Sequence, residues 1–255
     1  MSDETRTQIA VKALTCLDLT NLDDDCTEDD IRALAARGVT PHGAVAALCV
    51  WPRFVRLARE AAAPDIKIAT VVAFPTGLET AEEAIDETAA AMRAGADEID
   101  VVIPYRALME GREERVLARV ERVKRASHGA PVKAILETGM LGSAELTRKA
   151  ADLALQGGAD FLKTSTGKVP VNATLSAAET LLTAIKESDR PGVGFKAAGG
   201  IRTLEDAEAY LGLADEIMGE GWAGPSTFRF GASGLLDALL AAIAGGEAAP
   251  TAQGY

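Results

Sequence analysis

The sequence predicts an α/β protein of the TIM (β/α)8 barrel class, as a single domain over residues 1–255. Three observations predict it. Short apolar runs recur about 25–35 residues apart, the length of one strand, one helix and two loops in a parallel crossover. The runs are apolar almost throughout, as strands covered on both faces are. Alanine-rich amphipathic stretches lie between them. Eight parallel strands, each followed by a helix, close into a barrel. A doubly wound open sheet is the alternative, but that fold usually carries a glycine fingerprint near its start, and this chain has none there.

In chain order, residues 16–19 open the set. Thr27 with Asp30 has capping-box spacing and starts a helix that Gly38 closes. Strands follow at 47–50 and 66–74. Thr80 with Glu83 starts the next helix, and Gly95 ends it before a strand at 99–103. The run 132–136 is the next strand, and Gly157 closes the helix after it. Strands at 161–164 and 194–197 come next, and Thr203 with Asp206 caps the helix beyond. Residues 228–230 close the set, although 215–218 compete for that place. The segment 91–100 aligns without gaps with 154–163: helix end, Gly-Ala-Asp turn, strand. The turn is what any helix-to-strand joint of this fold would show. The alignment also sets Asp100 and Lys163 at equivalent points of two strands. Residues 245–255, rich in Gly, Ala and Pro, are expected to form a mobile tail.

Composition narrows the function. The chain carries 38 acidic and 26 basic residues, a net charge of −12, which argues against a nucleic acid or an anionic membrane as partner. An anionic small molecule remains open, because a local cluster of amides and lysines binds a phosphate against the global field. Cys16, Cys26 and Cys49 are odd in number and match no zinc spacing, so a reduced, cytoplasmic protein is expected. The acidic start lacks an apolar signal segment, and no run reaches the roughly 18 apolar residues of a membrane span.

The chemistry is concentrated in two lysines, Lys163 and Lys196, each set in an apolar run and followed by a glycine-bearing turn. Residues at the carboxyl ends of barrel strands converge on one mouth. Here these are Asp18, Cys49, Asp100, Lys163 and Lys196. The alternative for any one of them is a buried charge that has found a partner. A lysine near its ordinary pKa of about 10.4 is protonated at neutral pH and cannot attack a carbonyl. A second ammonium disfavours the charged form, which Lys196 is expected to do for Lys163. Asp100 would compensate the remaining charge and pass protons through a water. Metal chemistry is not expected, since His42 and His128 are the only histidines and His128 precedes a strand, on the face away from the mouth. No cofactor is expected. Turns at Thr166-Gly167-Lys168, Gly199-Gly200 and Gly231-Ala232-Ser233-Gly234 suit a phosphate, which barrels often bind after strands seven and eight. Cys49 reads either as a small buried hydrophobe or as a thiol beside the lysine, open to alkylation by an unsaturated aldehyde.

The segments 17–20, 98–106, 161–168, 194–203 and 229–233 jointly resemble the deoxyribose-phosphate aldolases, class I aldolases with a single barrel, over nearly the whole chain. The resemblance implies reversible cleavage of 2-deoxy-D-ribose 5-phosphate to acetaldehyde and D-glyceraldehyde 3-phosphate, in deoxyribonucleotide catabolism. It implies Lys163 as the Schiff-base lysine, Lys196 as the neighbour favouring its neutral form, and Asp100 as the proton-relay acid. It sets Gly167, Lys168, Gly199, Gly200, Ser233 and Gly234 around the phosphate, with Asp18 and Thr20 facing the substrate hydroxyls. The implied partners are the phosphorylated sugar and acetaldehyde, and a homo-oligomer is compatible with it. Two departures stand out: Ala197 where many members have proline, expected to loosen a loop, and Gly234 where some have serine. Another Schiff-base aldolase or transaldolase barrel, or a non-catalytic phosphate-sensing barrel, are the competing readings. Some members also end in tyrosine. An arm of about ten residues spans on the order of 30 Å, so Tyr255 reads either as the end of an inert tail or as a catalytic hydroxyl that reaches the mouth and shuttles a proton.

Overall fold

The computed structural model describes residues 3–245. Eight parallel strands form a closed barrel: β1 (Leu17–Asn21), β4 (Ala47–Val50), β5 (Lys67–Val72), β6 (Glu98–Val102), β7 (Val132–Ile135), β8 (Phe161–Lys163), β9 (Gly194–Ala198) and β10 (Phe228–Ala232). Each strand pairs with the next, and β10 closes onto β1. The two-residue strands β2 (Val39–Thr40) and β3 (Gly43–Ala44) form a small antiparallel ribbon outside it. The segment 215–218, which competed for the last strand, ends helix α10 (Leu204–Met218) instead. Its apolar residues continue the helical face that buries Tyr210, Leu211 and Ala214.

The helices begin where the sequence marks them. In α2 (Glu28–Arg37), α4 (Ala81–Ala94) and α10, the capping boxes are closed on both sides. The Thr80 N–H donates to Glu83 Oε2 at 2.6 Å, and the Glu83 N–H donates back to Thr80 Oγ1 at 3.2 Å. The closing glycines differ among themselves. Gly95 is left-handed, as a helix-ending glycine usually is. Gly38 and Gly157 stay right-handed. Glycine is needed there for space, since a Cβ would lie 2.9 Å from Ile66 at one and 2.8 Å from Val120 at the other.

The internal repeat holds at atomic detail. The Asp97 N–H donates to Ile68 O, and its carboxylate accepts from the Ile68 N–H and from Arg59. The Asp160 N–H donates to Val132 O, and its carboxylate accepts from the Val132 N–H and from Lys124. Each Asp therefore ties the start of the preceding strand to its own, which fixes the register of β6 on β5 and of β8 on β7.

Parity then sorts the side chains. Leu17, Leu48, Ile68, Ile99, Val101, Leu162, Phe195 and Phe228 face outward and join the main core under the helices. A second, inner apolar cluster holds Ala47, Cys49, Ala69 and Val71 of β4 and β5 with Leu22. These small side chains fill one side of the barrel interior and leave room for long ones on the other. No described helix is long and apolar enough to cross a membrane.

Candidate active site

The other side of the interior is ionic. In register across the sheet, Asp100 stands beside Lys133, Lys163 beside Lys196, and Lys196 beside Arg229. Paired residues of parallel strands project to the same face, so all of them turn inward. Glu98, two residues before Asp100, does the same. Among the described residues, four cations (Lys133, Lys163, Lys196, Arg229) and three carboxylates (Asp18, Glu98, Asp100) form one buried network.

The network has two layers. Toward the amino ends of the strands, Arg229 forks onto Glu98, with Nη2 to Oε1 at 2.8 Å and Nη1 to Oε2 at 3.0 Å, and Nη1 also meets Asp18 Oδ1 at 2.5 Å. Lys133 contacts Glu98 at 2.6 Å, Asp100 Oδ1 at 2.8 Å and Asp18 at 3.4 Å. Toward the mouth, Asp100 Oδ2 accepts from Lys163 at 2.9 Å and from Lys196 at 2.8 Å. Lys196 also donates to Asp18 Oδ2 at 2.5 Å. Two amines on one oxygen lie no farther apart than those two bonds laid end to end. Gly231 makes room for this, since a Cβ there would sit 2.9 Å from Lys196 Cε.

The carboxylates carry the imprint of the cations. Burial alone would raise the Asp100 carboxyl, but Lys133, Lys163 and Lys196 overcome it and hold it well below its usual range. Asp18 is lowered likewise against its burial by Lys196, Arg229 and Lys133, and Glu98 against its burial by Lys133 and Arg229. All three are therefore ionised at neutral pH. The network holds one more cation than carboxylate. Lys163 is the cation with the fewest carboxylates, touching Asp100 alone, where Lys196 touches two and Lys133 three.

Above this lie the glycine turns. Gly167, Gly199 and Gly200 have φ of 83°, 81° and 84°, a backbone that favours glycine and turns successive N–H groups into a concavity. Lys168 approaches Asp24 at 3.9 Å across the rim. Ser233 is half-buried, and Gly234 is the N-cap of α11 (Leu235–Ile243), so the last turn offers a helix N-terminus rather than a left-handed glycine.

The sequence pattern of the DeoC/LacD family aldolases matches residues 12–239. The chain belongs to that family. It is 54% identical over 252 residues to a deoxyribose-phosphate aldolase of Agrobacterium fabrum, covering 97% of this chain and 96% of that one. Among solved structures it is similar to an apo-form Toxoplasma gondii protein provisionally assigned as a deoxyribose-phosphate aldolase, with TM-score 0.87, 27% identity and 95% and 98% of the two chains covered. It is also similar to the tetrameric deoxyribose phosphate aldolase of Aeropyrum pernix, with TM-score 0.72, 26% identity and 94% and 98% covered.

The other residues expected at the site have the following partners. Asp18 is fully buried, and both its oxygens are bound by cations, Oδ2 by Lys196 and Oδ1 by Arg229. The Thr20 hydroxyl donates to the Asp18 carbonyl at 2.8 Å. Thr166 ties its own loop to the one after β7. Its hydroxyl bonds Glu137 Oε2 at 2.5 Å and accepts from the Lys168 N–H at 3.1 Å. Ala197 lies inside β9, buried and in register with Phe230, so the loop starts only beyond it, at Gly199. Cys49 is fully buried in the inner apolar cluster, and burial raises its thiol, which leaves it a poor thiolate. Tyr255 lies outside the described residues.

Four residues of this arrangement were not singled out by sequence reasoning: Glu98, Lys133, Arg229 and Glu137. The first three gave one shared signal, a charge inside a short apolar run. Glu137 gave none. It follows β7 with φ 53°, left-handed without being glycine, and its buried carboxyl is raised by burial against the Thr166 bonds.

Proposed function

We propose that the protein is a deoxyribose-phosphate aldolase, cleaving 2-deoxy-D-ribose 5-phosphate reversibly to acetaldehyde and D-glyceraldehyde 3-phosphate through a Schiff base on Lys163. The observation that carries the reading is the shared Asp100 oxygen: two lysines on one carboxylate, in a network with one cation in excess. Loss of the Lys163 charge balances the network, whether Lys163 waits as the free amine or carries the neutral enamine. Lys196 keeps that balance by being the ammonium that stays. When the imine forms and is protonated, Asp100 is the anion beside it. It also orients a water that takes and returns the proton at the acetaldehyde carbon.

The phosphate is read as lying on the loops of Gly167, Gly199 and Gly200, with Lys168, Ser233 and the start of α11 beside it. Three left-handed glycines and one helix N-terminus on the carboxyl side of neighbouring strands support this. Glu137 is a positioning residue in the reading, holding the Thr166 loop. A cytoplasmic location and a homo-oligomeric assembly belong to it too, the latter supported by the tetrameric Aeropyrum pernix relative. The test is borohydride reduction in the presence of acetaldehyde, followed by peptide mass mapping. An ethyl adduct on Lys163 is expected. An adduct on another lysine, or none at all while phosphate still binds, would reject the assignment in favour of another site or of a sensor.

A further inference from the structure

Outside the barrel interior, a cavity of about 420 Å³ lies between the loop after β5, the start of α4, the loop after β6 and one face of α6 (Glu113–Ala126). Its lining is unlike the rest of an acidic chain. Arg112, Arg115, Arg119 and Arg122 recur at steps of three and four, which places them on one helical face. Arg106 joins them from α5 (Tyr105–Met109). Three glutamates, Glu79, Glu82 and Glu110, also line it, so the cavity keeps a positive excess while the chain carries −12.

Part of this charge is committed. Arg122 pairs with Glu82 at 2.6 Å and Arg112 with Glu110. Arg106 reaches the Thr76 carbonyl at 3.4 Å and lies over the Tyr105 ring. Two groups are not committed. Arg119 is only 3% exposed; its Nη atoms bond the Val102 and Glu79 carbonyls, but its Nε has no partner. Arg115 has no ion-pair or hydrogen-bond partner for its side chain among the described residues. On the facing loop, Glu79 Oε2 is buried and also unpartnered. Buried polar atoms without partners are uncommon and destabilising. Here a buried donor and a buried acceptor are left unpartnered on two neighbouring residues of the cavity wall, beside an arginine with a free fork.

We propose that this cavity is a second small-molecule site, for a phosphate monoester that also carries a hydroxyl. The arginine forks match the dianionic phosphate. Glu79, a half-buried side chain on the facing loop, turns its unpartnered Oε2 into the cavity and accepts a hydrogen bond from the ligand hydroxyl. The volume suits a molecule of sugar-phosphate size. The site is independent of the Schiff-base reading. One link to the barrel is Arg119, whose Nη1 donates to the carbonyl of Val102, two residues beyond Asp100, at 3.3 Å.

The experiment is calorimetric titration of the full chain at low ionic strength with glycerol 3-phosphate, which has no carbonyl to form an imine, and with ethyl phosphate, which has no hydroxyl. Arg115→Ala is expected to weaken one class of glycerol 3-phosphate binding by about tenfold or more, the scale of one charge-assisted hydrogen bond. Lys168→Gln should leave that class unchanged. Glu79→Gln should narrow the preference for glycerol 3-phosphate over ethyl phosphate. Arg115 is exposed, so its variant should keep the parent's melting temperature, which checks the fold. An Arg115→Ala isotherm identical to the parent's would overturn the proposal. So would a variant with altered oligomeric mass and unaltered titration, which would assign the arginine face to a contact between copies of the chain.

Discussion

At the scale of single residues, the network separates what each lysine does. Lys163→Ala removes the surplus cation and leaves Asp100 with Lys133 and Lys196, so the fold should survive while turnover vanishes. Lys163→Arg should be equally inactive, because a guanidinium stays protonated. Near-normal turnover of either purified variant would refute the assignment. Lys196→Leu removes the ammonium that shares Asp100 Oδ2 with Lys163. The expected result is severe loss at neutral pH with partial recovery as pH rises. A profile parallel to the parent's would give Lys196 another role. Asp100→Asn keeps shape and removes the anion, and a loss on the order of 10²–10⁴ in turnover is expected. Cys49→Val should change neither turnover nor resistance to acetaldehyde appreciably, since the thiol sits in an apolar cluster and is poorly ionised. A marked gain in resistance would instead show that the thiol is reached.

At the scale of elements, the loop after β9 is the sharpest test of the phosphate reading. Gly199 has φ 81°, and a Cβ there would meet Asn172 at 2.8 Å. Gly199→Ala must therefore move the backbone, against a left-handed strain of roughly 1–2 kcal/mol. KM for the phosphorylated substrate should rise, with kcat for a non-phosphorylated one little changed. If both substrates suffered alike, the loop would serve the barrel and not the phosphate. Tyr255, outside the described residues, is the other expectation to test. Deleting Tyr255, or changing it to Phe, should slow solvent exchange of the acetaldehyde methyl protons while the imine on Lys163 still forms. Equal exchange in variant and parent would leave Tyr255 without a catalytic part.

At the scale of the molecule, the buried network ties stability to pH. Asp18, Glu98 and Asp100 ionise in the folded state below their ordinary values of 3.8, 4.5 and 3.8. A lowered carboxyl contributes stability above its unfolded value and loses it as pH falls through the folded one. Glu137, raised from 4.5, acts in the opposite sense, and it is one group against three. The urea midpoint should therefore hold steady from neutral pH down to about pH 5 and fall steeply below about pH 4. A midpoint that dropped mainly between pH 6 and 7 would contradict this. The same network sets two lysines against each other. Lys133→Met strips Glu98 and Asp100 of a buried partner and should destabilise by about 3–5 kcal/mol, whereas Lys163→Met should cost far less.

The sequence by itself determined the barrel, because its signals are local. Apolar runs at crossover spacing, capping boxes at Thr27, Thr80 and Thr203, and the Gly-Ala-Asp joints each specify a backbone that neighbouring residues enforce. It also made Asp100, Lys163 and Lys196 legible, since a charge at the end of an apolar strand stands out from its surroundings. Tertiary structure decided everything that depends on register around a closed sheet. Closure brings β10 against β1, and only then does Arg229 find Asp18 across 211 positions of chain, which gives Asp18 the place of a buried counter-ion. Lys133, Glu98 and Arg229 join the site because strand parity aims them at one axis, where a charge must meet its opposite or leave the fold unstable. Glu137 stayed hidden for a different reason: its place depends on one left-handed backbone angle after β7, which no pattern of residue types records.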